Sequence, residues 1–405
     1  MLSPLRATIC EQVAGECAAR FGNQLRAILL TGSLARDEAT IREEQGRRRL
    51  LGDAEFLLVF HESSRLPAAS DVGDFRRGLE GAQARRGVEG RLSLGTVHPC
   101  YLRKLKPHIF AYELKTCGRV IWGDPGVLLL IPGFSPADIP QEDAWRLLCN
   151  RMIEQLEVVQ DRNDPVEAIR RGVPYATIKL YLDMATSYLV FAGAYEPTYR
   201  DRARRLRDVA AAISSDVGAP FPLVGFADRV ARCTEVKLAG AAPETLLSDH
   251  EGPLEFWAGS LIDARRLWRW ELRRLTGLGD DTSDRALWGR WMQRQPARAK
   301  LRGWVSALRH LDGGGGWRCW PRLARRVWSA SPRYWVYAAA SELCFRLPPL
   351  VQGHGASGAD RHLEELFAFL PETRQAAWTA GRAGWQSLVS EILRNYHRFL
   401  TETRA

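Results

Sequence analysis

The feature that most narrows the fold is a change of pattern between Gly123 and Pro140. Pro125, Pro132, Pro136 and Pro140 are interspersed there with Gly126 and Gly133, and such a density of helix- and strand-breaking residues marks a domain boundary. Ahead of it, short apolar runs ending in glycine alternate with helical spacings; behind it the pattern is helical throughout. The chain therefore reads as α+β at its start and all-α afterwards. The expected parts are residues 1–130, a helical bundle at 141–250, and a Trp/Arg-rich helical region at 251–405, either separate from the bundle or continuous with it. With 405 residues, 46% hydrophobic and 26% charged, the chain can bury ordinary cores and has the balance of an ordered globular protein.

Within the first part, Leu5, Ile9, Val13 and Cys17 fall four apart behind Ser3 and Pro4, which predicts an amphipathic helix over 2–20. Leu25 to Thr31 reads as a buried strand that stops abruptly at Gly32-Ser33. Thr40 to Phe60 reads as a hairpin turning at Gln45-Gly46. A helix over 71–86, a strand over 91–97 and a short strand over 119–122 follow. Beyond the boundary, 144–159 and 175–190 have helical spacing, with breaks near 218–222, 240–243 and 312–316. The glycine run at 313–316 lacks a following Lys-Ser/Thr, so it reads as a connector and not as a P-loop.

The residues that point to chemistry are Asp53 and Glu55. Side chains alternate along a strand, so two acids one residue apart share a face, where they repel unless a cation lies between them. Magnesium or manganese suits such a pair, because Mg²⁺ commonly takes one or two carboxylates and completes its shell with phosphate oxygens and water. The strand-to-turn junction at Gly32-Ser33 offers close backbone approach and a hydroxyl for those phosphates, with Arg36 one turn further along.

Gly32-Ser33 after a strand, followed by Asp53-Ala54-Glu55 before an apolar strand, resembles the nucleotidyltransferase superfamily that shares the DNA polymerase β catalytic fold. The likeness spans about residues 25–125, a quarter of the chain, and includes the stretch from Tyr112 to Asp124. It implies an N-terminal domain built on a mixed sheet with helices, Gly32 and Ser33 on the triphosphate, and Asp53 and Glu55 on divalent metal. It also implies transfer of a nucleoside monophosphate, AMP first among them, from the NTP to a hydroxyl, amine or protein acceptor. Three departures stand out. Asp53 follows Gly32 by 21 residues, which makes Thr40 to Arg49 an inserted hairpin; Glu55 replaces the commoner second Asp; and no acid lies on 91–97, where the family has its third. Glu113, after Ile109-Phe110-Ala111, is the substitute proton acceptor, with Glu89 as the alternative. The segment from Tyr175 to Asp183, with Tyr195 and Arg200 to Arg205, is similar to the helical domain of aminoglycoside nucleotidyltransferases. Lys179 and Asp183, four apart, either pair with each other or face the nucleotide or acceptor.

The formal charge of +10 is concentrated between Trp257 and Trp335, and twelve of the 14 Trp lie at 257–385. Basic and aromatic residues interleaved in this way suit an RNA acceptor or an anionic membrane surface. Yet Trp257, Leu261, Ala264, Trp268, Leu272 and Leu275 form one helical stripe, the mark of a buried face, which leaves Trp270 as the candidate surface or interface ring. A cationic antibiotic is disfavoured as acceptor by this charge. The eight cysteines are scattered without CxxC pairs, against zinc and for reduced thiols. No span long enough for a bilayer and no leader segment is expected, so the chain reads as cytoplasmic. His61, His98 and His108 read as structural. Besides a nucleotidyltransferase, the same residues suit a nucleotide-binding regulator or scaffold that has lost turnover, or an RNA-directed enzyme using the basic third.

Overall fold

The structure, a computed structural model, describes residues 2–44, 46–160, 165–212, 218–248, 251–310, 328–348, 370 and 382–398. The break at 312–316 with its glycine run, and Trp317, Trp320 and Trp378, lie outside them. The chain is mixed α and β. Its contacts form two compact units, neither of them one stretch of chain. The first takes Met1–Asp143, Leu189–Ile213 and Ala227–Leu246; the second takes Ala144–Tyr188, Ser214–Phe226 and Leu247–Ala405. The division read along the chain at 130 and 250 is thus not the division of the contacts. Helices from beyond the proline-rich boundary return to the first unit.

The elements of the first part are α1 (Leu2–Phe21), β1 (Leu25–Thr31), α2 (Gly32–Ala35), β2 (Ile41–Glu44), β3 (Arg47–Phe60), α3 (Ala69–Arg85), β4 (Val88–Val97), α4 (Pro99–Arg103), α5 (Ile109–Cys117) and β5 (Arg119–Gly123). β3 is the centre of the sheet. It runs antiparallel to β1, with Thr31 level with Glu55 and Leu29 level with Leu57. It is antiparallel to β2 from Ile41 and Leu50 to Glu44 and Arg47, which makes the expected hairpin, and parallel to β4. β5 lies on the other side of β1. Period-two alternation divides the apolar residues between two faces. Ile28, Leu30, Phe56, Leu58, Leu92 and Leu94 pack with Leu5, Ile9, Val13 and Cys17 of α1 and Leu79 of α3. Ala27, Leu29, Leu57, Val59 and Val97 pack instead under Leu102 of α4, Ala111 and Leu114 of α5, and the Val127–Ile131 segment. The four-residue spacing read from α1 is the buried stripe: Leu5, Ile9, Val13 and Cys17 are at most 2% exposed.

Beyond β5 the described α-helices are α6 (Gln141–Val159), α7 (Pro165–Arg170), α8 (Tyr175–Phe191), α9 (Tyr199–Ala212), α10 (Leu223–Ala239), α11 (Pro253–Thr276), α12 (Asp284–Gln293) and α13 (Ala297–His310), followed by Pro332–Cys344 and Arg382–Tyr396. α9 and most of α10 belong to the first unit. Gly240, just past α10, has φ +65° and sits so close to the β2 backbone that a Cβ there would stand 2.2 Å from the Ile41 carbonyl oxygen. Only glycine fits.

In the second unit the tryptophan stripe of α11 is core: Trp257, Leu261, Ala264, Trp268 and Leu272 are all at most 1% exposed. Trp270 departs from the expected surface or interface ring. It is buried, donates its indole N–H to the Gly218 carbonyl at 2.7 Å, and stacks on Tyr188 at 5.4 Å. α11 is covered on more than one side, so a residue off the main stripe is enclosed as well. Part of the basic excess is paired internally, with Arg265 and Arg269 both on Asp284 and Arg273 on Asp280. No described helix is long and apolar enough to cross a membrane.

Glu271 is fully buried on α11 beside Ser187, whose hydroxyl donates to Oε1 at 2.5 Å, and its Oε2 has no hydrogen-bond partner among the described residues. Burial pushes its carboxyl up to about 8, against the opposing Ser187 hydrogen bond. The folded state then holds a proton that the unfolded chain releases near pH 4.5, so stability falls as pH rises from there to about 8. The loss is expected to be a few kcal/mol. Urea midpoints followed by tryptophan fluorescence at pH 5, 6.5 and 8 should drop for the parent and stay level for Glu271→Gln; a parallel drop in both would show that the slope comes from another group.

Candidate functional site

Asp53 and Glu55 project from β3 on the same side as Leu57 and Val59, the face covered further along by α4 and α5. Ala54 and Phe56 point the other way into the α1 core. The cover ends before the two acids: Asp53 is exposed and Glu55 half-buried. The pair therefore lies at the open end of an otherwise covered sheet face.

β1 delivers the Gly-Ser turn to the same place. Thr31, level with Glu55, ends the strand; Gly32 then takes φ +69°, and the chain enters the four-residue α2. The Glu55 carboxylate lies against Gly32 so closely that a Cβ at that position would stand 2.8 Å from Oε1. Glycine is favoured here by its positive φ, and its missing side chain lets the Glu55 carboxylate come this close. Ser33 is half-buried, and its carbonyl accepts the Glu38 N–H at 2.8 Å. Four sequence candidates, Gly32, Ser33, Asp53 and Glu55, are thus assembled by one antiparallel strand pair.

Arg36 and Glu113 are brought together elsewhere. Arg36, expected on a phosphate, is turned inward with its side chain 5% exposed, pairing with Glu113 and Glu38 and lying over the Tyr199 ring. Glu113, expected as proton acceptor, also pairs with Arg202 of α9 and receives the Tyr195 hydroxyl hydrogen bond at 2.7 Å. Burial pushes the Glu113 carboxyl up, but Arg202, Arg36 and the Tyr195 hydrogen bond outweigh it and hold the group below its ordinary range. A carboxylate so depressed and so fully engaged is a poor base. Its role is to neutralise two buried guanidiniums. Glu38 extends the cluster by accepting the Tyr199 and Arg200 backbone N–H groups at 2.9 and 3.0 Å, which caps α9. Lys237 of α10 donates to the Glu38 carbonyl and to the Thr40 hydroxyl. A cavity of about 470 Å³ adjoins this cluster, with Tyr195, Glu196 and Arg204 in its wall.

No third acid among the described residues joins Asp53 and Glu55. Among the described residues, no group of three His, Cys, Asp or Glu is arranged to hold a metal ion. The neighbouring strand instead carries Arg91 level with Asp53 and Ser93 level with Glu55, both exposed. Glu89, the alternative acceptor, pairs with Arg47 at 2.9 Å. Lys179 lies in the second unit 3.7 Å from Glu154, while Asp183 receives Arg151 at 2.6 Å. The i, i+4 pair is not formed, because α6 supplies a closer partner to each. His98 contacts the Ser64 carbonyl at 2.9 Å, and His108 caps α5 by accepting the Ala111 N–H at 3.0 Å.

Asp53 and Glu55 are the two groups here that could hold a divalent ion. Mg²⁺ commonly takes one or two carboxylates and completes its shell with phosphate oxygens and water, whereas a second ion there would stand beside Arg91, level with Asp53. The sequence reading missed Arg91 and Ser93, although their alternation with buried Leu92 and Leu94 marks them as facing outward. Comparison with protein-family models, with curated proteins and with solved structures finds nothing that matches this chain.

Proposed function

We propose that the chain is a divalent-metal-dependent nucleotidyltransferase of the polymerase β type, moving an NMP, in the first instance AMP from ATP, to a hydroxyl, amine or protein acceptor. The observation that carries this reading is the Glu55 carboxylate seated against Gly32, on the face it shares with Asp53. Asp53 and Glu55 would hold Mg²⁺ or Mn²⁺, which supplies charge stabilisation at the phosphates. Gly32 and Ser33 would seat the triphosphate. The acceptor oxygen or nitrogen attacks the α-phosphorus, the bond to the bridging oxygen of the β-phosphate breaks, and pyrophosphate leaves. The acceptor's proton passes to solvent at this open site, since Glu113 is engaged with its two arginines.

The test is incubation of the full chain with α-labelled NTPs, Mg²⁺ and a cell extract as acceptor source, read as label transfer and pyrophosphate release. A metal ligand worth several kcal/mol of charge stabilisation makes the expected loss in Asp53→Asn at least about 100-fold. Mg²⁺-dependent triphosphate binding without transfer in any extract would favour the regulator reading. Binding that ignores both Mg²⁺ and Asp53→Asn would overturn the site.

A further inference from the structure

In the parallel pairing of β3 with β4, Arg91 stands level with Asp53 and Ser93 level with Glu55. Paired residues in a sheet project from the same face, and Leu92 and Leu94 are buried on the opposite one. Arg91 therefore emerges beside the carboxylate pair at the open end of the face. It is exposed and has no ion-pair partner among the described residues. Arg47 on the same sheet is held by Glu89 and Arg26 by Asp124, while Arg42, Arg48 and Arg49 are, like Arg91, without an ion pair among the described residues; what sets Arg91 apart is its place level with Asp53. An unpaired guanidinium next to two acids on a strand is poised for a ligand more anionic than either acid.

Resting on the nucleotide reading above, we infer that Arg91 does the work of a second cation: the site binds a nucleoside triphosphate with one divalent ion, and the Arg91 guanidinium takes phosphoryl oxygens. The charge balance calls for it. One divalent ion is neutralised by Asp53 and Glu55, and the negative charge of the triphosphate then remains to be met. A guanidinium meets phosphate with two parallel N–H donors. Ser93 supplies a hydroxyl where a further carboxylate would be needed for another ion.

The test is a Mn²⁺ titration of the full chain with a non-hydrolysable triphosphate, read by electron paramagnetic resonance and calorimetry. One Mn²⁺ per chain is expected. Arg91→Ala should weaken triphosphate binding about tenfold or more, as loss of a charged hydrogen-bonding group does, while thermal melting stays unchanged because Arg91 is exposed. Arg91→Lys should restore part of the affinity. Ser93→Asp combined with Arg91→Ala should raise the count from one Mn²⁺ to two. Two ions in the parent chain, or an Arg91→Ala protein of undiminished affinity, would overturn the inference and leave the nucleotide reading standing. Absence of any metal-dependent triphosphate binding by the parent chain would remove both.

Discussion

Glu113→Ala is expected to destabilise the first unit by at least about 3–5 kcal/mol, the cost of leaving buried charges without their partner. Glu113 is shared by two guanidiniums that are nearly as enclosed as any apolar core residue: the Arg36 side chain is 5% exposed and that of Arg202 3%. Removing the carboxylate takes the shared acid from both at once, leaving Arg36 with Glu38 and Arg202 with the Glu196 and Pro197 carbonyls. Against the typical 5–15 kcal/mol that holds a domain together, this is enough to populate the unfolded unit at ambient temperature. Glu113→Gln, which keeps the shape and the Tyr195 hydrogen bond but loses the charge, should fall between. Chemical denaturation by circular dichroism measures both; an Ala variant within 1 kcal/mol of the parent would mean that the cluster is solvated and contributes little. The pH dependence follows from the depressed carboxyl. Its contribution is complete above the ordinary carboxylate range and is lost as pH falls below that range through the folded-state value. The parent should therefore lose stability in acid more steeply than Glu113→Gln.

Gly32→Ala should separate stability from function. The positive φ makes any L side chain unfavourable by about 1–2 kcal/mol. The new methyl would meet the Glu55 carboxylate at 2.8 Å, the far end of a flexible side chain that can swing aside. The melting temperature should therefore drop only modestly. The displaced carboxylate, however, is the one proposed to hold the metal, so Mn²⁺-dependent triphosphate binding should fall by at least about tenfold. A large loss of stability with unchanged binding would reverse this assignment and make Gly32 a folding residue only.

How much of this was legible in the chain depends on the range of the interaction. The α1 stripe, the β1 run ending at Gly32, the hairpin and the α11 stripe follow from local periodicity, and the structure has each of them. Asp53 and Glu55 on one face is likewise a local fact. Glu113 and Arg36 were visible as candidates, yet their partners Arg202 and Tyr195 come from beyond the proline-rich boundary, where no spacing rule reaches. Glu271 could have been read, since it continues the buried series Ser260, Ala264 and Leu267 at spacings of four and three. Trp270 could not, because its burial depends on Tyr188 and Gly218 of other elements.

The sequence by itself determined the elements and the paired acids, because alternation along a strand and the conformational demands of glycine act within a few residues. Tertiary structure alone decided what stands beside those acids. The register of β4 against β3 puts an arginine and a serine there, and the return of α9 and α10 to the first unit turns Arg36 and Glu113 into a buried ion cluster. Both outcomes hinge on strand pairing and packing between distant segments, where burial sets the strength of each charge and neighbours are chosen by the fold and not by the chain order.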